Sequence, residues 1–167
     1  MAYQQGDTIT ISEYNTFAGN VNTIIGTGSG DSGYGLSEIA TVSTGDTITA
    51  AQWNSLLAGL QKAANHQGTT ITNASNTVTT GGNILPLSNL EADITLITTN
   101  KLTADSSNMS ADTGIVSTRT DAFTGTVNTI LTVTFASANA ARHFFNSGGE
   151  IRFAASRSGG SSTDQNT

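Results

Sequence analysis

The sequence predicts an α+β chain: an N-terminal helical part with two repeated amphipathic helices plus a third helix, then a small C-terminal β-rich part. Three observations carry this. The pentapeptide GDTIT occurs twice, at positions 6–10 and 45–49, and each copy is followed by the same helical spacing of apolar residues. A further 3-4-3 apolar spacing follows the only proline, Pro86. Beyond residue 112 two stretches show period-two patterning, the period of a strand with one face covered.

The first copy reads GDTITISEYNTFAGNVNTIIG and the second GDTITAAQWNSLLAGLQKAAN. Tyr14, Phe17, Ala18, Val21, Ile24 and Ile25 in the first fall in register with Trp53, Leu56, Leu57, Leu60, Ala63 and Ala64 in the second. Residues spaced i, i+3, i+4, i+7 form one stripe of a helix. Thr10 with Glu13, and Thr49 with Gln52, fit the capping box, in which the Thr hydroxyl accepts from the N3 amide and the N3 side chain reaches back. GDTIT is therefore a turn, a short extended stretch and an N-cap: a building block rather than a ligand site. The spacing predicts helices over about 11–25 and 50–65, with Gly26 and Gly68 near their stops, in a repeated unit spanning 1–68. The segment GTGSGDSGYGLSEIATVST between them starts Gly- and Ser-rich around Tyr34 and reads as a flexible loop. It lacks the preceding strand, following helix and Lys of a phosphate loop.

Residues 69–112 read as a connector holding a third helix over about 89–101. Ser88 and Glu91 suggest another capping box, and Leu90, Ile94 and Ile97 form a narrow stripe, with Leu87 ahead of it. That stripe either packs on the first two helices or meets copies of itself. Residues 113–167 read as β-rich. In VNTILTVTF, Val127, Thr129, Leu131, Val133 and Phe135 alternate with Asn128, Ile130, Thr132 and Thr134, and Ile151 and Phe153 alternate in EIRFAAS. Between them a short helix over about 138–146 is expected, capped by Ser137 and carrying Ala141, Phe144 and Phe145. Two strands do not make an independently stable sheet. Partners must come from around 113–123, from a neighbouring subunit or from further chain beyond SRSGGSSTDQNT.

Composition narrows the function. Charged residues make up 11% of the 167, net charge is -6, and the six basic residues are scattered. A chain without a basic patch is not expected to hold a phosphate backbone. With no cysteine, disulfides and thiolate metal sites are excluded. The opening MAYQQGDTIT has neither a positive n-region nor an apolar h-region, so no signal peptide is expected. No apolar run approaches the ~20 residues of a membrane span.

No catalytic constellation emerges. His66 is expected to serve the C-terminal end of the second helix, and His143 beside Arg142 to have a surface or packing role. Neither has acidic or thiol companions at metal-ligand spacing. Asp105, Asp112 and Asp121 lack the order of a calcium loop. Glu13 and Glu91 are assigned to caps, which leaves Glu38 and Glu150 as the remaining glutamates for a pair of the kind glycan hydrolysis needs. The residues singled out are therefore packing and assembly candidates: Tyr14, Phe17, Val21, Trp53, Leu56, Leu60, Leu90, Ile94, Ile97, Phe144 and Phe145. No cofactor, metal or enzyme activity is expected.

Two stretches, GDTITAAQWNSLLAGL with the upstream GSGDSGYG, and VTFASANAARHFFNSGGEIRFAASRSGG, resemble segments of virion structural proteins of tailed bacteriophages, especially cyanobacterial and marine myovirus-like phages. The second is the more specific, and together they cover somewhat under half of the chain. The resemblance implies a non-enzymatic neck, tail or fibre component that assembles in the host cytoplasm. It would act through a homo-oligomer, a trimer or hexamer, and through contacts with other virion proteins. The alternative is a receptor- or glycan-binding module using exposed aromatics such as Tyr34.

Overall fold

In the computed structural model, residues 8–72, 77–82, 87–121 and 125–156 are described. Gly6, Asp7, Pro86 and the tail from Arg157 fall outside them. The elements are α1 (Ile11–Ile25), α2 (Ala50–Gln67), α3 (Leu87–Thr99), a 3-10 turn (Ser106–Asn108) and α4 (Ala138–Asn146). Helices α1, α2 and α3 pack pairwise on one another.

The first two helices start as their local chemistry dictates. Thr10 accepts from the Glu13 amide at 3.2 Å, and the Glu13 carboxylate returns to the Thr10 amide at 2.8 Å. Thr49 and Gln52 repeat both bonds at the same two distances. Their ends differ. Gly68 closes α2 in the left-handed region at φ 69, whereas Gly26 closes α1 at φ -75, where a Cβ would meet Asn22 O at 2.6 Å and Glu38 Cγ at 2.7 Å. Helix α3 begins at Leu87, two residues before the expected start, so Ser88 lies inside the first turn instead of ahead of it.

One core joins the three helices. Tyr14, Phe17 and Val21 on α1, Trp53, Leu56 and Leu60 on α2, and Leu90, Ile94 and Ile97 on α3 are all buried. Full burial of an aliphatic side chain is worth about 1.5–3 kcal/mol, so each helix is held by several such contributions. The three helices begin at near-equal intervals, which exposes a third, diverged copy of the repeat. Gly82 aligns with Gly6 and Gly45, the tract GNILP with GDTIT, and Leu90 with Tyr14 and Trp53. At the position of Phe17 and Leu56 the third copy carries Asp93, which is 1% exposed and accepts from the Thr72 amide and hydroxyl at 3.0 Å each.

Between the helices the described parts of the chain include straps that run over the core, and helix side chains hold the strap backbone at Ile39, Val42 and Val78. Asn15 accepts from the Val42 amide at 2.8 Å and donates to the Val42 carbonyl at 2.9 Å. Asn22 pairs with Ile39 in the same way, at 2.7 and 2.9 Å. Asn54, the repeat equivalent of Asn15, pairs with Val78 at 2.8 and 2.9 Å. A carboxamide carries a donor and an acceptor side by side, so each Asn supplies one rung of a β-ladder without a strand. This satisfies backbone groups that burial would otherwise orphan. Ile39 and Val42 are thereby pressed into the core, and Gly59 on α2 leaves room for Ile39, whose Cδ1 lies 2.7 Å from where a Cβ would stand.

The expected α+β class does not hold: the described residues are all-α, with four α-helices and no strand. Residues 126–135 and 150–156 carry the alternating pattern but find no ladder. Among the described residues, none of their backbone groups hydrogen-bonds to backbone elsewhere in the chain. Alternation reports which face of an extended chain is apolar; a strand also needs a neighbour along its edge, and the described residues provide none.

Candidate functional site

The loop after α1, Gly26 to Leu36, is a closed Ω-like turn. The amides of Tyr34, Gly35 and Leu36 each donate at 2.8 Å to the carbonyls of Ile24, Gly26 and Ile25, and so satisfy the acceptors that a helix C-terminus leaves open. Gly33 is required in this turn: its φ is 98, and a Cβ would stand 2.6 Å from Thr27 O. The closure points other carbonyls outward, towards α4.

Helix α4 answers them with donors from one face. Arg142 Nη1 donates to Ser32 O at 2.7 Å and Nη2 to Thr27 O at 2.6 Å. One turn on, the buried Asn146 donates to Ser32 O at 2.8 Å and Gly30 O at 3.1 Å. His143 Nε2 lies 3.1 Å from Arg142 Nη2 and 3.3 Å from Thr27 O. The helix itself is capped by Ser137, whose hydroxyl accepts from the Ala140 amide at 3.0 Å. The Gly-rich segment expected to be a flexible loop is thus a shaped acceptor surface gripped by a helix more than a hundred residues downstream. Arg142 and Asn146 were not singled out by the sequence; their i, i+4 spacing on a short helix was the available signal.

The ends of α2 and α3 complete this junction. His66 Nε2 donates to Ser147 O at 2.7 Å, and its ring lies 5.0 Å from that of Tyr34. Tyr34 donates to Lys101 O and accepts from Gln67, each at 2.7 Å, and Gln67 also reaches Ile97 O at 3.0 Å. Burial raises the Tyr34 phenol above its ordinary pKa, so it stays a neutral donor. Lys101 pairs with Asp31 at 3.0 Å, and the hydrogen bond from Lys101 holds the Asp31 carboxyl below its usual range. These polar groups hold one another in place. Among the described residues no group of three or more His, Cys, Asp or Glu could hold a metal ion, and no helix is long and apolar enough to cross a membrane.

The other face of α4 is apolar and open. Phe144 and Phe145, two of the assembly candidates, meet Phe135 rather than the bundle core, with ring centroids 5.2–5.8 Å apart. Phe145 stays 47% exposed. On the flanking extended segments Val127, Leu131, Val133 and Ile151 are exposed as well, and Ile130 and Phe153 reach 88% and 81%. The other nine candidates lie in the core and reach no such surface. An open surface depression lined by Thr10, Ser12, Asn15 and Thr44 carries no ionisable side chain.

No family model, curated protein or solved structure matches the chain.

Proposed function

We propose that the chain is a non-enzymatic structural subunit of a tailed-phage virion, a neck, tail or fibre component that acts by assembling with copies of itself and with other virion proteins. The observation that carries the assembly reading is the C-terminal region. Backbone with strand patterning runs there without ladder partners, and its large apolar side chains are exposed beside a helical body whose own core is closed. Contiguous exposed apolar surface marks interaction sites, and unpaired extended backbone is a template for β-pairing with another chain. The phage assignment rests on the resemblance of GDTITAAQWNSLLAGL with the upstream GSGDSGYG, and of VTFASANAARHFFNSGGEIRFAASRSGG; part of each stretch meets in the α4–loop junction.

The alternative, a glycan- or receptor-binding module, uses exposed aromatics such as Tyr34. That ring is packed against His66 and its hydroxyl is engaged on both sides, so Tyr34 does not serve this reading. Light scattering of the purified chain over a concentration series tests the proposal. A defined trimer or hexamer is expected. A monomer at all concentrations would overturn it.

A further inference from the structure

We infer that α4 is an exchangeable plug: in the assembled protein it docks on the Ω-like loop of a neighbouring copy, through the same Arg142 and Asn146 contacts that the chain makes with its own loop. The inference rests on the self-assembly reading and names the contact by which that assembly is made.

Three features lead to it. The first is the nature of the contact. Helices α1 to α3 pack on one another, whereas α4 is fixed to the body by side-chain donors on the backbone carbonyls of Thr27, Gly30 and Ser32 and by Ser147 O on His66. Nothing in that contact depends on which copy supplies the loop. The second is the tether. Beyond Met109, which still caps the 3-10 turn, residues 110–136 make no backbone hydrogen bond to the helical body among their described members. An extended chain of that length reaches up to ~90 Å, against ~27 Å for the longest helix of the body, so a neighbour's loop lies within reach. The third is the uncovered surface. Docked at home, the arm leaves Val127, Ile130, Leu131 and Val133 exposed. Docked on a neighbour, the same arm runs between two bodies and beside another arm, where those side chains and the unpaired backbone of 126–135 gain partners. Exchange of an identical element adds contacts without giving up the original one, which makes it a low-cost route to oligomers. One plug and one loop per copy allow reciprocal exchange between two copies, or head-to-tail exchange that forms a ring where the rotation between copies closes.

The chain has no cysteine, which permits a clean test. Ser29 on the loop and Asn139, one turn ahead of Arg142, are exposed. Full-length Ser29→Cys and Asn139→Cys chains, the second carrying a mass tag, are refolded together, sized, and treated with a short bismaleimide. Exchange predicts a covalent species joining tagged to untagged chain, lost when Arg142→Ala is added to the Asn139→Cys chain. An oligomer in which the Ser29→Cys/Asn139→Cys double variant links only within single chains would overturn exchange and leave assembly standing. Links between chains that persist with Arg142→Ala would overturn it too, since proximity alone would then explain them. A monomer would overturn both readings.

Discussion

Replacing Asn15 by Asp changes one atom at the strap and tests the amide clamp directly. The carboxylate keeps the bond from the Val42 amide at 2.8 Å, but the atom 2.9 Å from the Val42 carbonyl turns from a donor into a second acceptor. The loss is one hydrogen bond worth about 1 kcal/mol, plus about 1–3 kcal/mol for leaving a carbonyl unsatisfied against an oxygen. The expected destabilisation is about 2–4 kcal/mol, a large share of the roughly 5–15 kcal/mol typical of a domain. Urea unfolding followed by the fluorescence of Trp53, the only tryptophan, reads it as a lower midpoint at unchanged slope. A variant within about 0.5 kcal/mol of wild type at neutral pH, well inside that range, would refute the clamp.

Two further outcomes follow from the core. Trp53→Ala removes a ring that is 5% exposed, and should cost about 3–5 kcal/mol by urea or thermal unfolding; unchanged stability with failed assembly would move the ring from core to interface. Burial raises the phenol pKa of both Tyr14 and Tyr34, so their contribution is full below the ordinary value of about 10 and is lost as pH rises through the folded pKa. Phenolate absorbance should therefore appear for these rings later than in the unfolded chain and together with loss of helical circular dichroism; early ionisation with helices intact would contradict the buried placement.

What the sequence disclosed was what is local. Capping boxes act over three residues, and apolar stripes over a few turns, so α1, α2 and the membership of their core faces could be read directly. The third repeat was masked because GNILP shares little with GDTIT beyond its glycine, although Leu90 keeps the place of Tyr14 and Trp53. The straps were missed because Asn15 and Asn54 look like polar surface residues until the backbone of Val42 and Val78 arrives beside them. The β assignment failed for a related reason: Val127 to Phe135 encode extended chain, and pairing depends on a partner that is not local. The Gly-rich loop was read as mobile from composition, while its order comes from Arg142 and Asn146 at the far end of the chain.

The Asn clamps carry a consequence for how this fold can change over time. An amide that reads main-chain atoms is indifferent to the side chains mounted on them. Along the straps, only inward positions such as Ile39 and Val42 are tied to the core; their neighbours are free to drift. Divergent descendants should therefore keep an Asn directly after the buried aromatic of the first two helices, as in Tyr14-Asn15 and Trp53-Asn54, while the intervening text is rewritten. Kinship in this architecture is written in a dipeptide and a spacing, and a comparison that weighs every position equally dilutes both.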